Sequence, residues 1–371
     1  MIIVFNPVRT HVEILFLLKN YEVKVCFTCS KHIEDKSLIN KLLKLGIEYF
    51  IYSNKLIVEN SVLIPCDDES ARLVDVLNIK NNSKTSNSLN ELNLRLNKKE
   101  YLSKLNNDIL SKIEIPCVIK PIKSAGGENT FFIKTTEDIS SFLRKNIKIN
   151  DMIIQKYYEG TEYSVDIISK DGIHYLVGIW RYKKISPYST VRESIELLRD
   201  TESDIVNNIY EYMKNCLNAV GNKNGASHSE IIYNEKNIYL LEINFRFHGH
   251  ITHNFYSKGT GDSHFSAYIK KFITNESIPL IYESKNNILK ILINLDKKLF
   301  LPNINYKIIE NLDSVLAVIK HPSTNYNKLE YGPTVDVKSA LCYVLLYDNN
   351  TTYLKDLNVI ENWKNQLYYG K

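Results

Sequence analysis

Nothing in this chain is apolar for long enough to span a bilayer, and Met1 leads directly into Ile2, Ile3, Val4 and Phe5 with neither a basic leader nor a cleavage site. A cytoplasmic protein without a membrane partner is therefore expected. Charge of one sign is scarce as well. Lys and Arg number 47 against 42 Asp and Glu, a balance of +5 over 371 residues, and the lysines are interleaved with acids, which leaves no basic block for nucleic acid. Cysteine is sparse: the six stand at 26, 29, 66, 117, 216 and 342, mostly in apolar runs. Cys26 and Cys29 form one CxxC with His32 three residues on, but no second pair completes a zinc or redox set, so buried free thiols are expected. Glycine and proline, at 13 and 9, give an ordinary globular composition, and with 44% hydrophobic residues the length predicts two or three domains.

Apolar runs and helical periods alternate through the first 80 residues. Strands are expected at 1–5, 22–27, 47–52 and 62–65, with helices at 12–19, 37–44 and 70–77, which is the pattern of a βαβ sheet. Asn6-Pro7-Val8-Arg9 follows the first strand in place of GxGxxG, so the dinucleotide fingerprint is missing and nicotinamide chemistry loses its main support. Residues 80–88 are polar and Asn/Ser-rich, as in a linker. A helix expected over 94–105 opens with Arg95, Lys98 and Lys99, cations that oppose the helix dipole unless an anion compensates.

Lys120 ends a compact strand and is followed by Pro121 and the turn KSAGGENT, whose Gly126 and Gly127 let backbone N–H groups approach an anion. No Gly-Lys-Ser/Thr opens a helix there, so this is not the Walker pattern, and a plain hairpin is the alternative reading. A small α/β lid is expected over about 112–154. Gln155, Lys156 and Tyr157 then lead through an Glu-Gly turn to Glu162 and Asp166, a hinge suited to bonding a purine edge, with Glu162 placed for ribose hydroxyls. Arg181, Lys183 and Lys184 close the next strand with three cations in four residues.

Ser227 to Gly249, SHSEIIYNEKNIYLLEINFRFHG, reads as a β-hairpin with a wide loop around Lys236. Glu242, Asn244 and Arg246 recur at every second position and so share one face; His228 and Glu230 do the same on the first strand. A turn centred on Lys236 sets Glu230 opposite Glu242. Two facing carboxylates in a half-buried sheet need a shared proton, a basic partner or a divalent cation, and carboxylate with amide oxygens suits Mg²⁺. Arg246 adds a fork for phosphate or carboxylate, although it also serves an ordinary ion-paired strand.

Taken in order, Lys98, PCVIKPIKSAGGENT, QKYYEGTEYSVD, WRYKK, GASHSEI and LLEINFRFHG resemble the ATP-grasp superfamily, and within it the L-amino-acid ligases and related dipeptide-forming enzymes. The resemblance implies an α/β (α+β) ATP-grasp fold: a pre-ATP-grasp domain over 1–90, the ATP-grasp domain over 91–275 and a C-terminal part over 276–371. It implies ATP and two Mg²⁺ ions as cofactors, with Mn²⁺ as an alternative. Glu230, Glu242 and Asn244 fall on the metal ligands; Lys98, Lys120, Ser124, Gly126 and Gly127 on phosphate contacts; Gln155, Lys156 and Tyr157 on the adenine hinge; and Glu162 on the ribose contact. Arg246 falls on the arginine holding the acyl-phosphate, with His228, Arg181 and Lys184 as further participants.

The implied reaction is amide formation between a small carboxylate and an amine, with ADP and phosphate released, by a chain that pairs as a homodimer in related folds. A bicarbonate-activating carboxylase and a non-catalytic ATP-binding regulator are the competing readings. His248, His250 and His253 spell HxHxxH without helical spacing or a cysteine partner; pocket lining is expected over zinc, with anion recognition if protonated. Beyond residue 278, strands are expected at 288–294, 315–320 and 340–347 and a helix at 354–367.

Overall fold

The structure, a computed structural model, describes residues 1–53, 61–81, 114–121, 126–144, 152–301, 303–320, 330–335, 339–348 and 353–368. Lys98, Ser124, the linker beyond residue 81 and the helix expected over 94–105 lie outside the described residues. The chain forms two compact units, Met1–Asn93 with Tyr163–Trp180 and Leu197–Asn286, and Leu94–Glu162 with Arg181–Glu196 and Asn287–Lys371.

The first unit opens with β1 (Ile2–Phe5), α1 (Glu13–Leu17), β2 (Val23–Phe27), α2 (Lys36–Leu45), β3 (Glu48–Ile51), β4 (Val62–Pro65) and α3 (Asp68–Asn81). The strands are parallel in the order β3-β2-β1-β4. β1 is buried at all four residues, which explains its unbroken apolar run: a parallel strand is covered on both faces. Every expected strand and helix of this region is present; α3 is longer than expected at both ends, and residues 9–12 form a 3-10 turn ahead of α1. Strand order reverses between β1 and β4, and open parallel sheets bind ligands at the carboxyl ends of strands where it does so. Asn6, buried with φ 48°, stands at that end of β1. Its amide donates to Thr28 Oγ1 at 2.8 Å and to both oxygens of Asp67 at 3.1 Å.

In the second unit, β5 (Cys117–Pro121), β6 (Phe131–Ile133), α4 (Thr136–Leu143) and β7 (Met152–Lys156) form an antiparallel sheet in the order β6-β5-β7. Thr135 and Asp138 close a capping box at the start of α4, and Phe142 packs on Cys117, Ile119, Ile133 and Met152. The chain passes between the units within β8 (Thr161–Lys170), β9 (Ile173–Lys184) and β10 (Arg192–Leu197). It then adds α5 (Asp204–Ala219), β11 (Gly225–Asn234), β12 (Asn237–Asn244), α6 (His253–Thr260) and α7 (His264–Phe272) to the first unit, whose strands run β12-β11-β8-β9. The rest belongs to the second unit: β13 (Asn287–Ile293), β14 (Leu299–Phe300), α8 (Lys307–Glu310), β15 (Val315–Lys320), β16 (Glu330–Tyr331), β17 (Cys342–Asp348) and α9 (Tyr353–Gln366). Strands β10-β13-β17-β15 are neighbours in that order, and Trp363 and Ile360 of α9 pack into the core against them.

The β11–β12 hairpin corrects the expected wide loop. Asn234 pairs with Asn237, so only Glu235 and Lys236 connect the strands. The Asn234 carboxamide oxygen accepts from the N–H of Lys236 at 3.1 Å and of Asn237 at 2.9 Å, which closes the turn. Continued without interruption, that register would set Glu230 opposite Leu241 and turn Glu242 to the other face. A β-bulge prevents this: Ile231 pairs with Leu240 and Glu230 with Glu242, leaving Leu241 as the extra residue. The opposed glutamates therefore arise from a tight turn plus a bulge.

Candidate active site

Cross-strand partners in an antiparallel pair share a face, and β11 and β12 match His228 with Asn244 and Glu230 with Glu242. Asn244 is buried, and its Nδ2 donates to Glu242 Oε1 at 2.8 Å, which leaves its own carbonyl oxygen as an acceptor on the same face. Two residues on, Arg246 Nε donates to Asp68 Oδ1 at 2.8 Å and Nη1 donates to the carbonyl of Phe247 at 3.0 Å. Burial opposes the arginine's charge; Asp68, then Glu242 and Glu230, outweigh it and hold the group above its ordinary value. Asp68 stands in the first turn of α3, directly after the carboxyl end of β4. The switch point of the parallel sheet thus orients Arg246.

Behind this face lies a carboxylate that sequence reasoning quoted but gave no role. Asp166 of β8 is fully buried and accepts four hydrogen bonds: from His228 Nδ1 at 2.8 Å on Oδ1, and on Oδ2 from His248 Nδ1 at 2.9 Å, Tyr256 Oη at 2.9 Å and Trp180 Nε1 at 3.0 Å. Burial opposes its ionisation, but His248 and His228 outweigh that and hold the carboxyl well below the ordinary range. Asp166, His228 and His248 also offer ligand atoms within 4.8 Å of one another, as a metal would require. The bonds to Asp166 are nonetheless hydrogen-bond contacts, since ligands on a metal with bonds of about 2.1 Å stand farther apart than this.

Neighbouring imidazoles are fixed just as closely. His264 accepts the His248 N–H on Nδ1 at 3.2 Å, so its Nε2 carries the proton that is given to the Ile167 carbonyl at 3.2 Å. His11, ahead of α1, packs edge-on to Phe265 and bonds the His248 backbone, while its Nε2 is buried without a partner. Burial brings His11 down to about 3 and His248 to about 4, and lowers His253 too. Burial thus disfavours the protonated form of two of the three histidines of HxHxxH, His248 and His253, and works against their recognising an anion by charge. Nor do the three imidazoles of that motif form one ligand group among the described residues: of the three only His248 clusters with Asp166 and His228, and His253 Nδ1 is hydrogen-bonded to Ser263 Oγ at 2.6 Å.

The other predicted residues lie in the second unit. Lys120 pairs with Ile153 across β5 and β7, and Gln155, buried, pairs with Val118. Gly126 and Gly127 have φ of 72° and 77°, and a Cβ on Gly127 would stand 2.5 Å from Thr190 Cβ, so the turn needs glycine for both conformation and space. Tyr157 stacks on Tyr188 with ring centroids 4.8 Å apart, and the exposed Lys156 precedes it. Glu162 is buried, ion-paired to Lys184 and accepting from Arg192 Nη2 at 3.1 Å. Arg181 pairs with Glu196 and Lys183 with Glu193, on the exposed face of β9. Arg181 and Lys184 therefore fall on opposite faces, and WRYKK does not present both to one ligand. Neither Asp68 nor Arg192 has a local pattern that marks it, whereas Asp166, a lone charge inside VDII, carries a signal in its apolar neighbours.

Residues 79–250 match the family described as the ATP-grasp domain. Solved structures of similar fold include an L-amino acid ligase from Bacillus licheniformis, 11% identical with a TM-score of 0.68 over 97% of this chain and 96% of that one. N5-carboxyaminoimidazole synthetase from Staphylococcus aureus, complexed with ADP, is 13% identical with a TM-score of 0.66 over 98% and 96%. Phosphoribosylglycinamide synthetase from Anaerococcus prevotii is 14% identical with a TM-score of 0.63 over 97% of each chain. None of the curated proteins matches the chain in sequence. The fold is the ATP-grasp α/β fold with an N-terminal parallel-sheet domain. Residues 79–250 are thus an ATP-grasp domain, and the likeness over the rest of the chain is one of fold. Among the described residues no helix is long and apolar enough to cross a membrane.

Proposed function

We propose that the chain is an ATP-dependent carboxylate–amine ligase, forming an amide bond through an acyl-phosphate and joining two amino acids or an amino acid to a small biosynthetic intermediate. One observation carries this reading: Glu230 and Glu242 are directly opposed, with Asn244 oriented beside them and Arg246 two residues on. Two carboxylates and an amide oxygen suit a hard cation, so Glu230, Glu242 and Asn244 are the residues to hold Mg²⁺. When bound, the ion neutralises phosphate charge.

Arg246 holds the substrate carboxylate and then the acyl-phosphate oxygens, its fork fixed in advance by Asp68. Lys120 and the N–H groups of the Gly126–Gly127 turn meet the nucleotide phosphates, and the backbone of Gln155 to Tyr157 bonds the adenine. Glu162 serves the ribose and also orients Lys184, to which it is paired. Lys98 and Ser124 keep the phosphate roles that the resemblance implies, whereas Arg181 is given none.

Phosphate release from Mg·ATP, with amino acids offered singly and in pairs, tests the reading. Release that depends on one particular pair is the expected result; release without any amine, or none across the panel, overturns it. The likeness to carboxyaminoimidazole enzymes, at TM-scores close to that of the amino acid ligase, favours one second reading, activation of bicarbonate, and bicarbonate belongs in the same panel.

A further inference from the structure

We infer that Asp166 is a positioning residue that turns His228 and His248 into a pair of hydrogen-bond acceptors, and that this pair is the subsite for the N–H bonds of a primary amine. The word amine rests on the ligase reading; the polarity of the pair does not. An ionised carboxylate only accepts hydrogen bonds, so each ring bonded to Asp166 carries a proton on Nδ1. In a neutral imidazole the proton on one nitrogen leaves a bare lone pair on the other. Both Nε2 atoms are then acceptors, and neither is bonded to another described residue. The two rings lie 4.2 Å apart and tilted by 37°, and each keeps about 5% exposure.

Asp166 does not rely on the histidines alone. Tyr256 and Trp180 donate to Oδ2 from α6 and β9, so the carboxylate is fixed from elements that neither histidine belongs to. This is how an outer partner sets a ring's tautomer and direction. The surroundings define what the pair can take. His228 lies opposite Asn244 and on the face of Glu230 and Glu242, where oxygen acceptors predominate and Arg246 supplies the positive charge. A carboxylate brought to the histidines would meet lone pairs, whereas an amine or ammonium meets acceptors. The two ends of the reaction are thereby sorted: the anionic group to Arg246, the N–H group to His228 and His248.

The test reads tautomers directly. Long-range ¹H–¹⁵N spectra of the full ¹⁵N-labelled chain are expected to show both rings as Nδ1–H with bare Nε2, the tautomer that the bonds to Asp166 set. Glycinamide, an amine without a carboxylate, is expected to shift both Nε2 resonances; N-acetylglycine, a carboxylate without an amine, is expected to leave them in place. Asp166→Asn offers one acceptor and one donor, so one ring must turn to Nε2–H and the glycinamide response is lost. Trp180→Phe removes a donor to Asp166 without touching either histidine bond and keeps both rings as in the wild type.

An Nε2–H form on either ring of the wild-type chain, or a response to N-acetylglycine in place of glycinamide, overturns the inference without any variant having to fold. An Asp166→Asn chain that folds with both rings unchanged does so as well. Because these spectra need no turnover, an intact Nδ1–H pair in a chain that releases no phosphate would remove the ligase reading and leave the subsite standing.

Discussion

Gly178→Ala is a one-carbon test of the packing behind Asp166. Gly178 is buried in β9, and a Cβ there would stand 2.4 Å from the Tyr256 hydroxyl oxygen, 3.1 Å from Cζ and 3.3 Å from Leu197 Cδ1. The hydroxyl must move, and the bond it gives to Asp166 at 2.9 Å is lost or badly bent. Overpacking of this kind costs about 1–3 kcal/mol. A hydrogen bond to a charged group adds about 1.5–3 kcal/mol. A total loss of about 2.5–6 kcal/mol lowers Tm by about 5–24 °C in a folding unit of this size. Tyr256→Phe alone removes the bond and should cost only about 1.5–3 kcal/mol. In the double variant the new Cβ meets a ring carbon without its hydroxyl, so most of the clash disappears. The double should be scarcely less stable than Tyr256→Phe, a coupling of about 2.5–6 kcal/mol between the sites, the whole cost of the single Gly178→Ala change. Thermal melts of the four proteins by circular dichroism measure it, with Trp180 fluorescence as a local probe, since that indole lies edge-on to Tyr256 at 4.9 Å. Additive losses would refute the argument.

Three further predictions concern charges. Glu242→Gln should abolish ADP formation from Mg·ATP yet raise stability in chelator by about 0.2–1 kcal/mol, because a like charge directly opposite Glu230 is removed; a melt in chelator together with an ADP assay checks both halves. His11 and His248 are held down to about 3 and about 4 by burial, so the unfolded chain binds more protons than the folded one from there up to its own value near 6.5. Stability should fall below about pH 6.5, by about 1.4 kcal/mol per pH unit for each ring, and His11→Phe should remove one such ring's share, about 1.4 kcal/mol per pH unit, in melts between pH 7.5 and 5. Lys290 of β13 is buried and pushed down to about 7 by burial and by Arg192; Lys290→Met should raise stability at pH 7 by about 1–4 kcal/mol, and a lower Tm would contradict this.

The parallel sheet was legible because its strands, covered on both faces, announce themselves as apolar runs such as IIVF and VLIP between helical periods. The pairing of Glu230 with Glu242 was legible too, but for a different reason from the one that holds. Alternation and approximate symmetry about Lys236 place the two opposite each other, whereas the chain uses a two-residue turn and a bulge at Leu241. A bulge has no composition of its own, so only the demand that both glutamates share a face could have revealed it. Asp68 was harder. It stands 178 residues from Arg246, and no local pattern connects the first turn of α3 with the end of β12.

That long-range contact bears on what the N-terminal sheet is for. Asp67 caps α3, its carboxylate accepting the Ser70 N–H at 2.8 Å while the Ser70 hydroxyl accepts the Asp67 N–H at 3.1 Å. The same Asp67 takes the amide of Asn6 from the end of β1. Asp68, next in line, is therefore set by two strand ends and a cap before it meets Arg246. A carboxylate in a helix's first turn also interacts favourably with the helix dipole. The guanidinium is consequently oriented by a carboxylate already fixed in place, with Nε committed to Asp68 and Nη1 to the Phe247 carbonyl. Sequence divergence in the N-terminal domain that spared Asn6, Asp67 and Asp68 would leave this aim intact, whereas loss of Asp68 alone would release Arg246 toward Glu242 and Glu230, the two carboxylates proposed to hold the cation.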